Sequence, residues 1–144
     1  MPPALVDMLR IRTLGGLSIE GPASPVTAEP RCLALLARLA AARDDGIRRE
    51  DALTLLWPDQ PPPNALDDVL GAIRTGIHPR AISADTARLR LSSDVIVSDF
   101  SDFQRAVDQG NLELAEELYQ GPFLNGFRLP DAPAFERWDR SRIR

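Results

Sequence analysis

Three consecutive prolines, Pro61-Pro62-Pro63, constrain this chain more than any other feature. Each lacks an N–H, fixes its own φ and pushes the residue before it out of helical backbone. A helix upstream must therefore stop, and one downstream must start afresh. The stretch Asn64 to Ile77, NALDDVLGAIRTGI, carries the start signals for such a helix. Asn64 is a capping residue type and Asp67 stands at the capping-box position. Asp67 and Asp68 suit the positive end of the helix dipole. Upstream, Arg48 to Trp57 reads as another helix, stopped by Pro58. Two short helices joined by a tight proline-rich turn are the core of a helix-turn-helix, whose second helix is the one expected to read a groove.

The flanking segments supply the rest of a small domain. Leu9 to Leu14 alternates apolar and polar residues, Gly15-Gly16 is a turn signal, and Leu17 to Glu20 alternates again, which predicts a β-hairpin. Val26 adds a short strand. Thr27 is expected to cap a helix over Arg31 to Arg43, with Pro30 tolerated in its first turn. Cys32, Leu35, Leu36 and Leu39 form its buried face, and Gly46 ends it. Leu53, Leu56 and Trp57 face inward from the next helix. After the central helix His78-Pro79 is a stop. Ala87 to Leu91 and Val95 to Val97 then predict a second hairpin around Ser92-Ser93-Asp94, with Leu89 and Leu91 on one face and Arg88 and Arg90 on the other. A hairpin, three helices and a closing hairpin define a winged helix-turn-helix, expected over residues 1–98.

Residues 99–144 read as helical. Ser101 is expected to cap a helix through Val107, Gly110-Asn111 breaks it, and Leu112 to Tyr119 follows, a tetratricopeptide-type pair. Gly121-Pro122-Phe123 ends the pair, and Pro133 to Ile143 forms a further helix carrying Phe135 and Trp138. The expected class is α+β: a winged helix-turn-helix followed by the start of a tetratricopeptide-like helical domain, cut short at Arg144. The chain is expected to be the front of a longer protein.

Composition narrows the function. One cysteine, Cys32, and one histidine, His78, leave neither an internal disulfide nor a Cys/His zinc site. Cys32 reads as a small core residue. No apolar run is long enough to cross a bilayer and no secretory signal opens the chain, so a cytoplasmic protein is expected. Asp99 and Asp102 are paired carboxylates with no nucleophile or metal partner beside them, so neither an enzyme nor a cofactor is expected. The net charge is -4, and all 17 basic residues are arginine. Residues 1–97 hold 11 arginines against 12 acids, and residues 98–144 hold 6 against 9. Any nucleic-acid surface must therefore be a local patch in the first part.

The C-terminal motif resembles a known family. Tyr119-Gln120-Gly121-Pro122-Phe123-Leu124-Asn125-Gly126-Phe127, then Leu129-Pro130-Asp131-Ala132-Pro133, then Phe135-Glu136-Arg137-Trp138, resembles the bacterial transcriptional activator domain. That domain follows a winged helix in regulators of the antibiotic-regulatory-protein type. Leu55-Leu56-Trp57-Pro58 and the order of elements are similar to the same family's DNA-binding domain. The resemblance implies a cytoplasmic transcription regulator whose winged helix binds promoter DNA. Its helical region would mediate homodimerisation or contact other partners, including downstream domains of a longer chain.

The central helix departs from that family, whose members carry arginine at positions matching Leu66, Leu70 and Thr75, and often Ile77. Here Leu66, Leu70, Ile73 and Ile77 make one apolar stripe, and Ala65, Val69, Ala72 and Gly76 make a second. One stripe is expected to pack on the core and the other to face outward beside Asp67 and Asp68. The candidate DNA contacts are Arg74, Thr75, His78 and Arg80 around the helix, and Arg88 and Arg90 on the wing, with Arg48 and Arg49 nearby. The competing reading is a winged helix without sequence-specific DNA binding that docks proteins instead. Its candidate surface is Leu66 and Leu70, with Phe127 and Trp138 behind; the plainer alternative is that α3 is buried on both sides and that Phe123, Phe127, Phe135 and Trp138 are core of the helical region.

Overall fold

The computed structural model describes residues 9–21, 25–26, 29–42, 45–57, 61–129 and 132–142. The N-terminal alternation forms the expected hairpin. Strand β1 (Leu9–Arg12) pairs antiparallel with β2 (Ser18–Glu20), placing Ile11 opposite Ile19. Both isoleucines are buried, while Arg12 and Glu20 form an ion pair of 3.2 Å on the other face. Strand β3 (Pro25–Val26) adds to β2 at the sheet edge, where a proline's missing donor does no harm.

Helix α1 (Pro30–Ala42) is the spine of the core. Its Leu and Ala residues are strong helix formers, and Leu35, Leu36, Ala37 and Leu39 are fully buried. Pro30 occupies the first helical position. The expected cap Thr27 and end Arg43 lie outside the described residues. Strand β4 (Ile47–Arg48) follows, so α2 (Arg49–Leu56) begins one residue later than expected, with Arg48 extended. Gly46 follows α1 in left-handed backbone, the conformation of a helix-ending glycine. It sits at φ +66°, and a Cβ there would collide with the Leu89 carbonyl, so only glycine permits this approach.

Helix α3 (Ala65–Gly76) starts where the prolines require. Asn64, however, is not a side-chain cap. It adopts left-handed backbone (φ 61°, ψ 23°), which asparagine tolerates, and only its carbonyl serves the helix, accepting from Asp68 N at 2.9 Å. Cys32 packs between α1 and α3, with Sγ 4.0 Å from the Val69 carbonyl. Burial, and then Glu29, push its thiol pKa up, as befits an inert core residue.

The expected wing needs correction. Strand β6 (Arg88–Leu91) does form, but its hairpin partner lies upstream: β5 (Ile82–Ala84), with Ile82 opposite Leu91 and Ala84 opposite Leu89. The turn between them is held by Asp85, whose Oδ1 accepts from Ala87 N and Arg88 N at 2.7 Å each. These bonds, led by the one from Arg88, hold its carboxyl below the usual aspartate range. Strand β4 pairs with the other edge of β6, giving a sheet of order β4-β6-β5. The segment 95–97 instead crosses to the first sheet, where β7 (Ile96–Ser98) runs parallel to β1, and the order is β3-β2-β1-β7. Both edges of β6 are already paired, and on β1 Ile96 stands opposite Leu9 with both side chains buried in the core.

Helix α4 (Asp99–Asp108) begins earlier than expected. Ser98, not Ser101, is the cap, its Oγ accepting from Ser101 N at 3.0 Å. Asp99 neither caps nor meets solvent. It is buried and accepts from Thr13 N and Thr13 Oγ1 at 2.8 Å each, and from Leu14 N at 3.0 Å. Hydrogen bonds to a charged group contribute about 1.5–3 kcal/mol each, so this carboxylate ties α4 firmly to the end of β1.

Helix α5 (Leu112–Leu118), capped by Asn111, packs on α4 after the turn at Gly110-Asn111. The chain then returns to β1. Leu124 N donates to the Thr13 carbonyl at 2.7 Å and Gly15 N to the Pro122 carbonyl at 2.9 Å. Gly15 and Gly121 cross so closely that a Cβ on Gly121 would lie 3.0 Å from Gly15 Cα. Helix α6 (Pro133–Arg142) packs against α2, and Phe135 is fully buried in the same core as Leu56 and Ile73. Ile143, its expected end, lies outside the described residues. Among the described residues no helix is long and apolar enough to cross a membrane.

Candidate nucleic-acid interface

Helix α3 turns one broad face inward. Leu66, Leu70 and Ile73 are buried, and so are Ala65 and Val69 from the second apolar stripe. This corrects the expected docking face, because Leu66 (4% exposed) and Leu70 (3%) point into the core. Helices α1 and α2 both pack on α3, so the buried arc takes most of the first stripe and half of the second. What remains outside is Asp67, Asp68, Ala72, Arg74, Thr75 and Gly76.

The outer face is small and only weakly charged. Arg74 is exposed. Thr75 is exposed too, with Oγ1 donating back to the Gly71 carbonyl at 2.9 Å. Arg49 Nη2 lies 2.8 Å from Asp67 Oδ1, joining α2 to α3 and neutralising one carboxylate at the start of the helix. Just past the helix, His78 Nδ1 accepts from Arg80 N at 3.0 Å, and the Arg80 guanidinium extends to within 4.0 Å of Asp94.

The second sheet concentrates the positive charge. Arg88 and Arg90 project from one side of β6, while Leu89 between them is fully buried. Strand register adds a residue that sequence alone places at the start of α2. Arg48 on β4 stands directly opposite Arg88, so Arg48, Arg88 and Arg90 share one exposed sheet face. The signal was a two-residue strand, too short for periodicity to reveal. Arg48 is paired with exposed Glu50 at 2.6 Å, and Arg88 Nη1 donates to the Asp45 carbonyl at 3.2 Å. Exposed pairs of this kind contribute about 0–1 kcal/mol, so they hold the guanidiniums only loosely.

This architecture has a solved counterpart. It is similar to EmbR of Mycobacterium tuberculosis, seen in complex with a low affinity phosphopeptide. The two share 24% identity and a TM-score of 0.66, over 92% of this chain and 41% of that one. The chain thus spans about two-fifths of that protein's length, and at this identity the likeness concerns the fold, which is α+β and winged-helix-like. No protein-family model matches the sequence, and no curated protein does.

The aromatic residues behind the helix-turn-helix form one cluster, with Phe123 and Phe135 buried and Phe127 and Trp138 half-buried against them. Phe127 and Trp138 turn toward the core. Phe127 lies edge-on to Phe135 at 5.9 Å, and Trp138 lies 5.8 Å from Phe123 and 5.4 Å from Phe135. The Arg38 guanidinium covers the Trp138 ring at 5.2 Å. The large apolar side chains left exposed among the described residues are Val107, Leu112, Leu114 and Tyr119, all on the α4–α5 pair. The outward apolar surface assigned to α3 is therefore found on α4 and α5 instead.

Proposed function

We propose that this chain is the DNA-binding front of a cytoplasmic transcription regulator, a winged helix-turn-helix over residues 1–98 joined to a tetratricopeptide-like helical segment. The exposed face of α3, with Arg74 and Thr75, enters the groove of double-stranded promoter DNA, and His78 and Arg80 follow at its end. Arg48, Arg88 and Arg90 contact phosphates from the wing. The shared exposed face of those three wing arginines is the observation that supports this reading best. The resemblance of the C-terminal motif to the activator domain points the same way. So few cations favour weak binding by one chain and stronger binding by a homodimer. The exposed apolar surface of α4 and α5 suits that dimer or a protein partner, and the phosphopeptide seen on EmbR supports expecting protein partners for this architecture.

A second reading is favoured by Asp67 and Asp68 at the start of α3 and by the net charge of -4. On it the winged helix docks a protein and does not read DNA. A mobility-shift titration on duplex DNA separates the two. The first reading expects a shift at low salt that weakens steeply as salt rises. No shift even at low salt selects the second.

A further inference from the structure

A cleft of 260 Å³ opens where the winged helix meets the C-terminal helices. Its floor is apolar: Leu39 from α1, Leu91 from the end of β6, and Ile96 and Val97 from β7. Its lip is polar, with Ser93 from the loop after the wing and Ser101, Asp102 and Arg105 from α4. The volume falls just below the roughly 300–1,000 Å³ of drug-sized sites, so the fitting ligand is a small one.

The charge at the lip is unequal. Asp102 faces two guanidiniums, with Arg10 Nη1 3.4 Å from Oδ2 and Arg105 Nη1 3.4 Å from Oδ1. Arg10 belongs to β1, so Asp102 keeps a partner when Arg105 turns away. The neighbouring carboxylates are engaged elsewhere: Asp99 with Thr13 and Leu14, and Asp94 with Arg80. The cleft therefore holds the Arg105 guanidinium, whose partner Asp102 is shared with Arg10, and the hydroxyls of Ser93, Ser98 and Ser101 above an apolar floor.

We propose that this cleft binds a small monocarboxylate with a compact aliphatic tail. The carboxylate pairs with the Arg105 guanidinium, a planar fork that matches it, and accepts from the Ser101 or Ser93 hydroxyl. The tail lies on Leu39, Leu91, Ile96 and Val97. A cationic head in the same place meets Arg105 as a like charge. Occupancy clamps α4 to the base of the strand that carries Arg88 and Arg90, so the ligand joins the helical segment to the wing.

The test uses hexanoate as the probe and hexylamine as its charge-inverted control, each titrated into the 144-residue chain and followed by NMR shifts. Saturable hexanoate binding with a Kd near about 1 mM is expected, and none for hexylamine. Arg105→Gln is expected to weaken hexanoate about tenfold. Val97→Trp fills the cleft and is expected to abolish binding, with circular dichroism unchanged. If Val97→Trp does not fold, Ser93→Trp at the exposed lip serves as the plug. Hexylamine binding as tightly as hexanoate, hexanoate binding unchanged by Arg105→Gln or by the plug, or no saturation up to about 10 mM overturns the proposal.

Discussion

Helix α3 and the wing sheet carry the two sets of candidate DNA contacts, yet they are built on opposite terms. The helix gives one continuous face, Ala65, Leu66, Val69, Leu70 and Ile73, to the core and shows solvent two aspartates, one arginine and small residues. The wing gives only alternate residues to the core, because side chains on a strand alternate between faces. Each buried leucine or isoleucine on its short strands thus leaves a neighbour free to be arginine, and three are. The outer face of such a helix is made of what lies between its apolar rows, so those rows say little about what it presents. In this chain the electrostatic part of any nucleic-acid grip is expected on the sheet, with the helix supplying shape.

That contrast can be broken most violently at the inner face of α3. Leu70→Glu places a charge in the core and is expected to cost about 4 kcal/mol or more, enough to lose cooperative unfolding by circular dichroism. If the variant melts like the wild type, Leu70 faces outward and the contrast fails. Next in size is the wing. Arg88→Ala combined with Arg90→Ala is expected to leave the melting curve within about 0.5 kcal/mol of the parent. The slope of log affinity against log salt for duplex DNA should fall by roughly 2. An unchanged slope places the phosphate contacts elsewhere.

A smaller effect is expected at the acidic start of α3. Asp67→Asn removes a negative charge and releases Arg49, and should strengthen DNA binding about three- to fivefold at low salt. Weaker binding would mean that the Arg49–Asp67 pair positions the helix for DNA. The smallest effect concerns the wing turn. The Asp85 carboxyl is held below its ordinary pKa by the Arg88 and Ala87 N–H groups, so its contribution to stability is present above the ordinary pKa of 3.8 and fades as pH falls through the lower folded value. Asp85→Ala should lower the melting temperature slightly at neutral pH, and the difference from wild type should shrink as the solution is acidified toward and below that range. A gap that widens with acid contradicts the turn geometry.

Local signals were legible where one residue type leaves the backbone few options. The first hairpin followed from alternation around Gly15-Gly16, α1 from its run of Leu and Ala, and the restart at α3 from the prolines. The wing was harder. Ile82-Ser83-Ala84 is short and nearly featureless, whereas Val95-Ile96-Val97 looks like an ideal strand, so proximity favoured the wrong partner for β6. The role of Asp99 has no local signature, because the three groups that donate to it lie more than eighty residues away in sequence. The candidate site suffered likewise. Arg88 and Arg90 were visible from their own strand, but Arg48 joins them only through a register set by a distant pairing.

By itself the sequence determined the helices, the first hairpin, the turns that interrupt them and the broad α+β order, because these depend on backbone preferences and on neighbours within a few positions. Tertiary structure alone decided the partner of β6, the parallel seat of β7 on β1, the burial of Leu66 and Leu70 together with Ala65 and Val69 on α3, and the return of 121–124 to the end of β1. Each of these turns on which distant surfaces exclude water together. That free energy belongs to pairs of segments, and no segment carries it alone.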